Sequence, residues 1–151
     1  MAVKLKTKMS DIDRHLRNYQ QSIERRILRV LQRLGEECYI KVVDRSQEDS
    51  WIDRTGNLRS SIGYVIVKNG IILDIAGFEQ RGSASEGMSE GRQFAMSVAT
   101  RYKQGYSLIV VAGMNYAAYV EAMDSKDVLA SSESYAKRRL PVLLRNLFSN
   151  V

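Results

Sequence analysis

From Ile12 onward the chain sets Leu16, Tyr19, Ile23, Ile27, Val30, Leu34 and Cys38 at steps of three or four residues, which makes one apolar stripe along a helix. Ser10, followed by Asp11 and Asp13, is the expected start. A serine oxygen accepts from orphan amides there, and carboxylates favour the positive end of the helix dipole. The polar face carries Arg14, Arg17, Arg25, Arg26, Arg29 and Arg33, offset in part by Glu24, Glu36 and Glu37. Continued to about Arg45, this helix is about 50 Å long at about 1.5 Å per residue. That exceeds what one small core covers, so an unbroken helix has apolar surface to offer a neighbour. Gly35 is the place where it can break, at a cost of about 1 kcal/mol relative to Ala.

Polar residues over 46–50 and the apolar pair Trp51-Ile52 lead into a turn at Asp53 to Asn57, within a loop expected over 46–60. Ser61 to Val67 and Ile71 to Ala76 then flank Asn69-Gly70, which supplies the positive φ angles of a tight type I′ hairpin. Both strands have consecutive apolar residues, so both faces need cover, one from the long helix and the other from a subunit. The Gly/Ser-rich stretch, about 79–91, reads as a mobile loop with a short helix following from Gly91 to Arg101. Tyr106 to Gly113 suits a buried central strand, and another pairing segment starts near Asn115. Ser131 or Ser132 is placed to cap a last helix that turns Tyr135, Ala136, Leu140, Leu143, Leu144 and Leu147 inward, with Pro141 kinking or restarting it. The fold class is α+β: a long N-terminal helix and a C-terminal helix packed on a small antiparallel β-sheet with a central hairpin.

A chain of 151 residues with 44% hydrophobic and 26% charged residues has the size and make-up of one globular domain, 1–151. Cys38 is the sole cysteine, which excludes an intrachain disulfide and a multi-cysteine zinc site and fits a reducing cytoplasm. The basic first residues lack the apolar run of a signal peptide, and no apolar stretch approaches the roughly 20 residues that cross a bilayer. The net charge of +6 draws the chain toward nucleic acid or an acidic protein surface without choosing between them.

Two short motifs carry a family resemblance: Thr55-Gly56-Asn57-Leu58-Arg59, running through Ser60-Ser61 into the first strand, and Tyr116-Ala117-Ala118-Tyr119-Val120-Glu121. Together with the order of elements they resemble the tail-component family of long-tailed bacteriophages, whose members join heads to tails at the neck or complete tails. The resemblance implies a small non-enzymatic virion protein with no cofactor or metal. It implies assembly as a homo-oligomeric ring with other neck or tail proteins around the DNA path, and the missing export signal places the chain in the host cytoplasm before assembly. Asp53, Arg54, Thr55, Gly56, Asn57, Leu58 and Arg59, with Tyr116, Ala117, Tyr119, Val120 and Glu121, then have fold and interface roles. The residues read the same way in part: Gly56 permits a tight backbone, Asn57 can bond its own chain and Leu58 can plug the core. For Arg54 and Arg59, structural support and partner contact both stand. The chain departs from the family pattern at Ala122-Met123 and Leu140-Pro141-Val142, and the Gly82 to Gly91 stretch looks like an addition.

Catalytic chemistry has little to build on. His15 is the only histidine and falls on the helix, Cys38 falls on its apolar stripe, and neither has metal-ligand spacing around it. No Gly-Lys-Ser/Thr follows the glycines, which excludes a phosphate loop of that type. The second reading is therefore a small basic protein that binds nucleic acid without regard to sequence, with Arg25, Arg26, Arg29 and Arg33 as the DNA-facing residues.

Overall fold

The computed structural model describes residues 1–2, 6–45, 53–83, 85–115, 117–118 and 128–149. Helix α1 spans Met9–Val43, and α2 is the single turn Asn57–Ser60. Strands β1 (Ile62–Lys68), β2 (Ile71–Gly77) and β3 (Tyr106–Ala112) form an antiparallel sheet in the order β2-β1-β3. Helix α3 covers Glu86–Ala99 and α4 covers Ala130–Ser149. The fold is α+β with the two long helices at opposite ends of the chain, as the apolar pattern predicts.

α1 is unbroken at Gly35, contrary to the interruption considered from the sequence. The glycine is there for packing, since a Cβ at this point would lie 2.6 Å from Cδ2 of Tyr64. Nor does Ser10 cap the helix. Lys8 is the extended residue before it, and the Lys8 carbonyl accepts from the Asp11 amide at 2.9 Å, which puts Ser10 inside the first turn. The loop expected over 46–60 ends early, because Asn57–Ser60 is helical.

The hairpin forms where expected, with Asn69 at φ 52° and Gly70 at φ 82°. Its register slips once: Ile66 pairs with Asp74 and Val67 with Ile72, leaving Leu73 as a bulge. The central strand is β1, not the Tyr106 to Gly113 segment, which lies at an edge. The run of apolar residues in β1 follows from this position. Ile62, Tyr64 and Ile66 pack toward Leu31, Tyr39, Val42 and Val43 of α1, while Val65 and Val67 pack toward Ala95 and Ala99 of α3. The second face of β1 is therefore covered from within the chain, by α3, while Ile71, Ile72 and Leu73 at the hairpin end of β2 stay exposed.

α3 can do this because its inner face is nearly bare. Gly87, Gly91, Ala95 and Ala99 recur every four residues and are all buried. A Cβ on Gly91 would sit 2.4 Å from the Ser61 carbonyl oxygen, and one on Gly87 2.1 Å from that of Asn57. The helix opens at Glu86, so the end of the stretch expected as a mobile loop over 79–91 is helical. The pairing segment expected to start near Asn115 is not found among the described residues there: Ala117 and Ala118 are helical, and Ala117 donates its amide to the Met114 carbonyl at 2.9 Å.

α4 lies along α1, with Leu143 against Leu34 and Cys38 and partly buried Leu140, Ala136 and Tyr135 around them. It runs through Pro141 without a restart. Pro141 and Lys137, one turn back, are both exposed, so the carbonyl deprived of its donor is on the solvent side. Ser132 is buried within the helix and does not cap it, because the Glu133 amide already donates to the Leu129 carbonyl at 3.0 Å.

Candidate functional site

The Asp53–Arg59 segment is a knot of internal hydrogen bonds. The Asp53 carboxylate accepts from the Gly56 amide at 3.0 Å and the Arg59 amide at 2.8 Å, as an N-terminal carboxylate on the α2 turn should. Thr55 Oγ1 accepts from the Asn57 amide at 3.3 Å. Gly56 sits at φ 79°, and a Cβ there would lie 1.4 Å from the Arg81 carbonyl oxygen, so only glycine satisfies both the backbone angle and the close approach.

From this turn, contacts radiate to every neighbouring element. Asn57 Oδ1 accepts from the buried Gly87 amide at 3.0 Å and so fixes the start of α3. Leu58 is 1% exposed in the core between α1 and the sheet. Arg59 Nη1 donates to the carbonyls of Val43 at 2.5 Å and Arg45 at 2.9 Å, serving carbonyls that the end of α1 leaves without helical donors. Ser60 Oγ takes the Arg81 amide at 2.6 Å, and Ser61 Oγ takes the Met114 amide at 3.3 Å. Arg54 and Thr55 are the exposed side chains of the segment. In the second motif, Ala117 is buried in the core cluster with Leu58, whereas Tyr116, Tyr119, Val120 and Glu121 lie outside the described residues.

The four candidate arginines divide between two grooves. Arg26, Arg29 and Arg33 line a groove of about 420 Å³ between α1 and α4, over Val30, Leu143, Asn146 and Leu147. Arg25 faces the other way, onto a groove of about 320 Å³ with Glu24, Leu28, Lys68, Leu73 and Tyr106. There Lys68 Nζ pairs with Glu24 at 2.8 Å and lies 5.3 Å from the centre of the Tyr106 ring. The sequence put all four on one polar face without showing that α4 and the hairpin part them.

Glu37, which the sequence offered only as an offsetting charge, joins α1 to α4. Its carboxylate accepts from Tyr135 Oη at 2.8 Å, Arg139 Nε at 3.2 Å and Arg33 Nε at 3.0 Å. Burial pushes the Glu37 carboxyl up, and the bonds from Arg139, Tyr135 and Arg33 outweigh it and hold the group below its ordinary value. Cys38 is fully buried, and burial pushes its thiol up, away from the thiolate a nucleophile needs. His15 is exposed on α1. Among the described residues no three His, Cys, Asp or Glu side chains gather as metal ligands, and no helix is long and apolar enough to cross a membrane.

The first turns of α1, before Gln21, are largely exposed. Leu16 is 62% exposed and Tyr19 55%, although they belong to the same stripe that buries Leu34 and Cys38. Among the described residues α4 ends at Ser149, and its Leu147 lines the groove beside Arg26, Arg29 and Val30 of α1. The predicted surplus of apolar helix surface is thus at the amino-terminal end.

A family model described as "Bacteriophage HK97-gp10, putative tail-component" matches residues 10–122, which run from α1 through all three strands and both motifs. No curated protein and no solved structure matches the chain. With well over half of its length inside that match, the chain belongs to the HK97-gp10-like family of bacteriophage tail components.

Proposed function

We propose that this tail component is a non-enzymatic virion protein that joins head to tail or completes the tail, made in the host cytoplasm and acting in a ring with copies of itself and with other phage neck or tail proteins. The observation that carries the reading is the apolar surface left open on the first turns of α1, where Leu16 and Tyr19 are more than half exposed although the same stripe is buried further along. Large apolar side chains grouped on one protruding face are the mark of a surface that is covered in an assembly. The Asp53–Arg59 knot supports a stable scaffold at the other end of α1, with Arg54 as an exposed side chain of the motif able to reach a partner. Electron microscopy of particles made without the gene tests this. Unjoined heads and tails, or tails of aberrant length, are the expected result, and normal joined particles refute it.

One observation favours a second role, sequence-independent contact with DNA: Arg26, Arg29 and Arg33 converge on one groove. Binding to unrelated duplexes, followed by fluorescence anisotropy, would then weaken steeply with salt, and replacing all three arginines by Ala would flatten the slope. Equal slopes for both proteins remove this reading.

A further inference from the structure

The groove between α1 and α4 has an apolar floor, Val30, Leu143 and Leu147, under a rim of Arg26, Arg29 and Arg33. Such a site fits an apolar side chain flanked by carboxylates. The floor gains by losing water, and guanidinium forks match carboxylate oxygens. A DNA backbone would satisfy the rim and leave the floor uncovered. The chain itself carries a segment of the required chemistry at the protruding end of α1, Asp11-Ile12-Asp13. Successive helical residues stand about 100° apart, so the two carboxylates project on either side of Ile12. Met9 and Leu16, on neighbouring turns, are 70% and 62% exposed and extend the apolar surface.

No chain can place this tip in its own groove. Asp11 and Arg26 lie on one unbroken helix, about 22 Å apart along its axis. We infer that the α1 tip of one copy docks in the α1–α4 groove of the next, with Ile12 on the Val30, Leu143 and Leu147 floor and Asp11 and Asp13 facing the three arginines. The inference rests on the ring reading above and names its contact. Tip and groove are different surfaces, so the contact is head-to-tail, the kind that gives a ring where its rotation closes. Within its own helix Asp11 pairs with Arg14, but both are substantially exposed, and a surface pair of this sort yields readily to a better-matched site. Arg33 also pairs with Glu37, which leaves Arg26 and Arg29 as the main partners of the carboxylates.

The test is sedimentation velocity of the purified full chain over a range of concentrations. It uses a tip variant, Asp11→Arg with Asp13→Arg, and a groove variant, Arg26→Glu with Arg29→Glu. The wild type should assemble as concentration rises, and each variant alone should associate on the order of tenfold or more weakly. An equimolar mixture should regain assembly, because reversed tips then meet reversed grooves and intact tips meet intact grooves. Variants that assemble like the wild type, a mixture no better than its components, or a wild type monomeric throughout would each overturn the contact. Circular dichroism checks the fold; if helix signal is lost, Ile12→Ser replaces the tip variant in the single-variant comparison, where it should associate more weakly than the wild type, and the mixture is omitted. Complementation of the gene deletion separates the two readings. Normal particles from the tip variant, where the deletion yields none, refute the tip–groove contact and leave the tail role standing. Normal particles from the deletion itself refute the tail role.

Discussion

Replacing Gly35 by Ala sets helix propensity against packing, and the structure predicts that packing wins. In an open helix the change stabilises by about 1 kcal/mol. Here the new Cβ meets the Tyr64 ring at 2.6, 2.7 and 2.9 Å, all inside the closest approach that real Cβ atoms make. The ring has nowhere to swing, because Tyr64 is 4% exposed on the central strand, paired with Ala76 on one side and Val110 on the other. Overpacking of a filled core costs about 1–3 kcal/mol. The difference is a net loss of up to about 2 kcal/mol, which for a chain of this size lowers the melting temperature by up to about 8 °C. Urea denaturation followed by far-ultraviolet circular dichroism measures it. With Tyr64→Ala as background the obstruction is gone and the same Gly35→Ala change should stabilise, so the double-mutant cycle should give a coupling of about 1 kcal/mol or more. A Gly35→Ala protein more stable than the wild type by the full propensity gain would refute the argument.

The same denaturation assay serves four other changes. Asn57→Ala leaves the buried Gly87 amide without its acceptor and should cost about 1–3 kcal/mol; a loss under about 0.5 kcal/mol would contradict the role given to that bond. Gly56→Ala should be worse than Gly35→Ala, since the backbone of Arg81 rather than a side chain is in the way, and a soluble variant of near-normal stability would count against it. Burial, with Glu36 and Asp74 nearby, pushes the Tyr64 hydroxyl from its ordinary 10.0 up to about 12. Its contribution is therefore complete below pH 10 and lost between pH 10 and about 12, as the unfolded chain ionises and the native one does not. Tyr64→Phe should lose less stability than the wild type across that window, and identical profiles would refute the assignment. Glu37 has the opposite sign: its native carboxyl is held below the ordinary 4.5, so its contribution is present above that pH and lost as pH falls through the native value. Glu37→Gln should be less stable at neutral pH and less sensitive to acid; an unchanged acid profile would show that the α1–α4 junction does not depend on this charge.

The elements legible in the sequence are those whose signal is local. Steps of three and four from Ile12 to Cys38 mark α1, and Asn69-Gly70 marks the hairpin, because each reports a backbone shape that its own residues require. The features that local pattern does not convey depend on partners far along the chain. Gly35 looks like a helix breaker until the Tyr64 ring is placed on it. The glycines from Gly82 to Gly91 look like a loose connection until they are seen against Thr55, Asn57 and Ser61. A signal was present there: Gly87, Gly91, Ala95 and Ala99 keep a four-residue step, the spacing of one helix face, and small residues at that step mark a close approach. The central position of β1 was also encoded, as a run with no polar break from Tyr64 to Val67, but a comparable run in β3 made the two indistinguishable by composition. The candidate arginines were found as a charged face. Only the placement of α4 divides that face into a three-arginine groove and the separate surface of Arg25.

α4 supplies one wall of that groove, and it lies outside the residues that the family match spans. It is also synthesised well after α1. At about 5–20 residues per second the ribosome needs several seconds to pass from Val43 to Ala130. Throughout that interval Val30, Leu34 and Cys38 have no α4 to cover them, and the arginine-rimmed receptor does not yet exist. Under the proposed tip–groove contact a nascent chain presents its acidic tip before it can receive one, and completion of α4 would serve as a checkpoint in time that admits only chains read through to Leu147 as acceptors.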